Sequence, residues 1–251
     1  MSLVPTQPLS EEQIRRYSRQ ILLPEVGGRG QRALLASRVL LFAGHAFSET
    51  AGTYLAAAGV GALDVIDGDA GLIRRLAGVN PDCRVRALPL AMAEAEYRNA
   101  AVAPAAPTGA IATDSASPAS STSAIATGSA SPAAAPAPAR TVAVAGPADP
   151  VPAGLARVWA WCVGRLGRIS RACPACLPAG MREAPEGPAA VDVAAVVGSL
   201  AAVAALHALL GIGSGPGESV LEWRGAEATA HSVPAPPDPG CGTCVRAGGR
   251  G

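Results

Sequence analysis

The stretch VLLFAGHAFSETAG, residues 39–52, decides how this chain folds. Val39–Phe42 is a short unbroken apolar run, as a strand buried on both faces requires. From Glu49 onward, ETAGTYLAAAGVGALDVIDGD gives a helix over Thr50–Ala58, a glycine turn, and a second strand over Leu63–Ile66 that ends in Asp67 and Asp69. Strand, helix and strand at this spacing form a β-α-β unit. The first turn of such units usually carries glycines, so that the phosphates of a nucleotide can approach the backbone. Here that turn, Ala43–Glu49, holds a single glycine, Gly44, together with His45, Ala46, Phe47 and a carboxylate.

Upstream, LSEEQIRRYSRQIL (9–22) predicts a helix capped by Ser10, with Gln13 closing a capping box and two glutamates at the positive end of the dipole. A Gly-rich loop, PEVGGRGQ, is expected next, then a short helix through Leu34–Ala36. Downstream, IRRLAGVNPDCRVRALPL reads as a helix, a turn at Asn80-Pro81 and a third strand. Order is expected to resume at TVAVAG (141–146), a strand. An amphipathic helix over Leu155–Leu166, a long helix over 191–210 and a strand over Ser219–Trp223 follow. This alternation points to an α/β fold with a mainly parallel sheet.

Between residues 100 and 140 the composition changes to Ala, Pro, Ser and Thr, with a near-duplication of AIATDSASPA (110–119) as AIATGSASPA (124–133). Such a segment buries too little surface to offset its ordering entropy, and a disordered linker is expected. Three units result: an N-terminal helix with a Rossmann-like half (1–99), the linker (100–140), and a second half with a cysteine-rich lobe (141–251).

Net charge is +1, which gives no electrostatic case for nucleic acid or an anionic membrane. All 20 basic residues are arginine, so any mechanism needing a lysine of this chain is excluded. Residues 1–11 lack the basic start and apolar stretch of a signal peptide, and a cytoplasmic location is expected. The uncharged stretch Val193–Leu206 is shorter than the roughly 18 residues of a membrane span, so a buried interior helix is expected.

Of six cysteines, four form two pairs, Cys173/Cys176 in CPAC and Cys241/Cys244 in CGTC. Two C-x-x-C turns brought together complete a tetrahedral four-sulfur zinc site with no open position, which makes a structural zinc the expected role. A redox or disulfide role is the alternative. Cys83 and Cys162 read as ordinary buried thiols.

The order of these motifs resembles the MoeB/ThiF/HesA proteins, bacterial relatives of ubiquitin-activating enzymes. The resemblance is carried by LSEEQIRRYSRQILLPEVGGRGQRALLASRVLL, YLAAAGVGALDVIDGD, CPACLP, VVGSLAAVAALHALLGIG and PGCGTC. It implies a Rossmann-like adenylation (ThiF-type) fold, a homodimer or heterodimer, and a structural zinc on the two cysteine pairs. It also implies ATP-dependent adenylation of the C-terminal glycine of a ubiquitin-like sulfur carrier.

The catalytic set departs from that pattern. Ala43–Glu49 takes the place of a loop of the type G-A-G-G-L-G-S, with only Gly44 retained. Side chains of His45 and Ala46 stand where backbone should meet phosphate, and Glu49 adds negative charge. The asparagine-containing segment after Asp69 is deleted and the following lysine is missing. The carboxylate that serves magnesium is replaced by AGPADP, with Asp149 a displaced remnant. No acceptor cysteine lies in 177–240. The resemblance leaves Asp67 as a ribose ligand and Arg19, in RYSRQ, as an arginine reaching a partner's nucleotide across a dimer interface. Bracing the N-terminal helix against the zinc lobe is the alternative for Arg19. ATP and magnesium binding are therefore doubtful, and a catalytically inactive partner subunit is the expected function. An active adenylyltransferase using Arg74 or Arg75 for the lysine, or a non-catalytic peptide-binding module, are the alternatives.

Overall fold

The computed structural model describes residues 8–100, 140–152, 155–177, 181, 187–212, 219–236, 238 and 240–241. Helix α1 spans Glu11–Ile21 and has the expected capping box: Gln13 N donates to Ser10 Oγ (3.1 Å) and Ser10 N to Gln13 Oε1 (3.2 Å). Its buried Tyr17 donates to Asp82 Oδ2 (2.8 Å) and accepts from Asn80 Nδ2 (2.9 Å), while Gln13 and Arg16 also bind Asp82. Burial pushes the Tyr17 hydroxyl up to about 12. One polar cluster thus pins α1 to the turn before the third strand. Helix α2 spans Gly27–Leu35, so the Gly-rich stretch expected as a loop is helical from Gly27, whose φ of 56° starts the turn. The close seat of Gly30 against Val26 and Leu210 explains why a small residue is needed there.

The β-α-β unit forms as expected: β1 Arg38–Phe42, α3 Ser48–Ala57, β2 Ala62–Ile66, then α4 Ala70–Ala77 and β3 Arg84–Leu88. Helix α5, Leu90–Ala100, runs to the start of the linker. The linker itself lies outside the described residues apart from its two ends. Arg140 belongs to the fold, since its Nη1 donates to Leu209 O (3.3 Å). Strand β4 is Thr141–Ala145.

The helix expected over Leu155–Leu166 is instead strand β5, Ala156–Val163, turning at Gly164-Arg165 into β6, Leu166–Ser170. The run Val158-Trp159-Ala160-Trp161 is buried throughout, with Val158 and Ala160 in one core and Trp159 and Trp161 in another. Aromatic and β-branched residues facing two ways suit a central strand, and the two-residue turn with Gly164 at φ 51° suits a hairpin. Cys162 is therefore a strand residue. Helix α6 is Val191–Leu210, followed by β7 Ser219–Arg224 and an edge strand β8 Thr229–Pro234.

All strands join one sheet in the order β3-β2-β1-β4-β5-β6-β7-β8, parallel from β3 to β5 and antiparallel beyond. Residues 146–155 return the chain from β4 to the parallel β5. Ten residues reach about 33 Å when extended, enough to recross a five-residue strand. Val151 and Leu155 of this strap pack on the sheet.

The main core lies between one sheet face and α3, α4 and α6. Gly198 of α6 sits so close to Phe47 O that a Cβ would lie 2.6 Å from it, which locks α6 against the start of α3. By length and composition α6 is apolar enough to cross a membrane. In this fold it packs on the sheet, with Val193, Val197, Ala201, Ala205 and Leu209 buried. Phe42, Ile66 and Leu88 on the opposite face are covered by Ala93 and Tyr97 of α5.

Candidate functional site

In an open parallel sheet, ligands bind outside the carboxyl ends of the strands where the strand order reverses. Here that point lies between β1 and β4. The β1–α3 turn, Ala43–Phe47, enters it from one side and the start of the strap, Gly146–Asp149, from the other.

His45 occupies this crevice. Its Nε2 lies 2.7 Å from Asp149 Oδ2, which also accepts from Gly146 N at 2.6 Å. Its ring stacks on buried Phe47, with centroids 5.1 Å apart and planes within 3°. It also covers Gly146 so closely that a Cβ there would lie 2.5 Å from Cε1. Gly44 is exposed, has an ordinary φ and faces open space, so nothing around it calls for glycine. Buried Ser48, at the head of α3, spends its hydroxyl on Phe42 O (2.6 Å).

Glu49 in the first turn of α3 is bound bidentately by Arg75 of α4, at 2.5 and 2.9 Å. This guanidinium holds the Glu49 carboxyl below its usual range. The arginine considered as a lysine substitute is thus committed to the helix's own acid, and Arg74 Nε donates to Ala70 O (3.3 Å). Asp67 stands at the end of β2 with φ 53° and an exposed carboxylate, which accepts from Leu90 N (3.3 Å) and so holds the start of α5. Asp69 caps α4 through Leu72 N (2.8 Å). Arg19 is exposed in the last turn of α1, and its side chain makes no hydrogen bond or ion pair among the described residues.

At the other end of the molecule the sulfurs of Cys173, Cys176 and Cys241 lie within 4.8 Å of one another. Cys173 and Cys241 sulfurs are 3.9 Å apart, close to the roughly 3.8 Å edge of a tetrahedron with 2.3 Å zinc–sulfur bonds. Asp238 N donates to Cys176 Sγ (3.3 Å), the kind of outer contact that orients a thiolate ligand. These thiols fit a metal ion; Cys244 lies outside the described residues. Cys83 is buried, and burial pushes its thiol up to about 12.

Sequence reasoning missed the His45–Asp149 contact, which joins residues 104 apart. Its signal was present: both residues depart from the family pattern, and both map to the carboxyl ends of neighbouring strands.

No family model matches the chain. Over 67 residues, 27% of this chain, it is 49% identical to adenylyltransferase and sulfurtransferase MOCS3 of Bos taurus, a match covering 15% of that protein. Over 63 residues it is 44% identical to adenylyltransferase and sulfurtransferase uba4 of Aspergillus niger, 25% of this chain and 13% of that protein. The chain thus spans a small fraction of the length of these relatives. Its structure is similar to that of E. coli MccB with ATP, with a TM-score of 0.60 at 15% identity over 96% of this chain and 77% of that one. PaaA gives a TM-score of 0.58 at 10% identity over 94% of this chain and 77% of that one. The chain carries a Rossmann-like α/β fold of the MccB type across its described residues. The matched quarter of its sequence is similar to these adenylyltransferase and sulfurtransferase proteins.

Proposed function

We propose that this protein is a catalytically inactive ThiF/MoeB-like subunit that supports activation of a ubiquitin-like or sulfur-carrier protein through a partner. The observation carrying this reading is the His45–Asp149 pair, which fills the switch-point crevice with the chain's own side chains. Adenylation requires cations and backbone amides aimed at transferring phosphates. Here the helix start that should receive an anion carries Glu49, and the nearest guanidinium, Arg75, is spent on it.

The scaffold role rests on what is left available. Arg19 is exposed and uncommitted among the described residues, as an arginine serving a partner's nucleotide would be. The partner is a second copy or, better suited to a closed site, an intact family member in the cytoplasm. A structural zinc on Cys173, Cys176, Cys241 and Cys244 would hold the C-terminal lobe together; the metal supplies folding energy, and the thiolates saturate it.

ATP–pyrophosphate exchange with a carrier ending in Gly-Gly tests this reading. The isolated chain gives no exchange, whereas an intact family member gives more exchange with this chain present than without it. Arg19→Ala abolishes the gain. Exchange by the isolated chain, or a gain indifferent to Arg19→Ala, contradicts the respective half of the proposal.

A further inference from the structure

At the opposite end of the parallel sheet, away from the switch point, strand register lines up Arg38, Ala62 and Arg84 across β1, β2 and β3, with Asp64 and Arg86 one step further in. These five residues line a pocket of about 130 Å³. Helix α5 covers the sheet face beyond the pocket, and its Glu96 and Tyr97 hydrogen-bond side chains that line it.

We infer that this pocket is a binding site for a small oxyanion, independent of the nucleotide crevice and of the subunit role proposed above. Asp64, only 1% exposed, is fully engaged: Oδ1 accepts from Arg86 Nε (2.6 Å), and Oδ2 from Arg38 Nη1 (3.1 Å), Arg86 Nη2 (3.0 Å) and the Tyr97 hydroxyl. Glu96 pairs with the same two guanidiniums, at 3.0 Å to Arg38 and 2.8 Å to Arg86. Two bound carboxylates, Asp64 in the wall and Glu96 behind it, therefore stand against three guanidiniums. The surplus charge is Arg84, whose guanidinium makes no hydrogen bond or ion pair among the described residues. Arg38 Nε and Nη2 and Arg86 Nη1 are likewise unspent there.

Guanidinium donors held in place by neighbouring carboxylates form a preorganised fork for an oxyanion. The volume sets the size of the ligand. Pockets for drug-sized ligands measure about 300–1,000 Å³, so this one takes a small group and not a nucleotide. Such chemistry is shared by a phosphate-like ion and a carboxylate.

The test is thermal unfolding of the full chain titrated with sodium phosphate or sodium acetate, each against sodium chloride at matched ionic strength. A ligand that binds only the folded state raises Tm with saturating dependence. Phosphate raises Tm with a midpoint in the millimolar range, and Arg84→Gln moves that midpoint at least tenfold higher without changing Tm in chloride. Arg84→Lys restores part of the affinity. A response to phosphate alone assigns the site to multiply charged oxyanions, and a response to both salts assigns it to carboxylates as well. A non-saturating rise, as surface exclusion of phosphate produces, or a midpoint unmoved by Arg84→Gln, overturns the assignment.

Discussion

His45→Ala removes the side chain that closes the crevice, and its consequences can be worked out in two parts. The imidazole makes one hydrogen bond to a carboxylate and one ring stack, and it is 28% exposed. A hydrogen bond to a charged group contributes about 1.5–3 kcal/mol and an aromatic pair about 0.5–1.5 kcal/mol. Exposure favours the lower end of each, so the loss is about 2 kcal/mol. For a chain of this size that lowers Tm by about 4–8 °C. The nucleotide outcome differs in kind. Alanine opens the space but supplies no cation, and Glu49 with its bound Arg75 remains at the head of α3. ATP with magnesium should therefore still give no binding heat. Differential scanning calorimetry and isothermal titration on the same preparation measure both. A Tm change below about 1 °C would show that His45 is not held as described. Micromolar ATP binding by the variant would show that the imidazole was the only obstacle, refuting the argument that the charges are also wrong.

Cys241→Ser should release one metal ion per chain and lower Tm sharply, because a tetrahedral site missing one thiolate is incomplete; elemental analysis and a melting curve check it, and metal-free wild-type protein would contradict it. Replacing residues 101–139 with a short Gly/Ser linker should leave Tm within about 2 °C, since their composition offers few apolar groups to bury. Asp64 contributes a pH dependence of known sign. Burial opposes its ionisation, but Arg86, Tyr97 and Arg38 outweigh burial and hold its carboxyl below the usual range. Its stabilisation is thus present above the unfolded pKa of about 4 and is lost as pH falls below that. Asp64→Asn should flatten the fall of Tm between about pH 4 and pH 2; an unchanged slope would show that the pair is not coupled to folding.

The N-terminal half was legible because its signals are local. The capping box at Ser10 and Gln13, the apolar run of β1 and the turn at Asn80-Pro81 each specify structure within a few residues. The second half was harder. Leu155–Leu166 reads as a helix by spacing, yet Trp159 and Trp161 need one sheet face and Val158 and Ala160 the other, a demand that only the completed sheet reveals. Gly27–Leu35 shows the converse, as packing of Gly30 on α6 overrides a glycine-poor helix rule. Asp64, a lone acid inside the apolar strand 62–66, and Arg86 on the next strand did advertise a charge pair. Glu96, which pairs with Arg38 and Arg86, sits on a helix that sequence reading passed over. In the crevice, the lost glycines were readable one by one, but the imidazole's carboxylate partner came from a strap 104 residues away.

The central claim is that the nucleotide crevice is closed by the chain's own residues. Isothermal titration of ATP and magnesium into the purified wild-type chain tests it most directly. The account predicts no heat beyond dilution up to millimolar ATP. Saturable binding in the micromolar range, accompanied by pyrophosphate exchange with a carrier ending in Gly-Gly, would contradict it and make Arg19, Asp67, Arg74 and Arg75 the first residues to mutate.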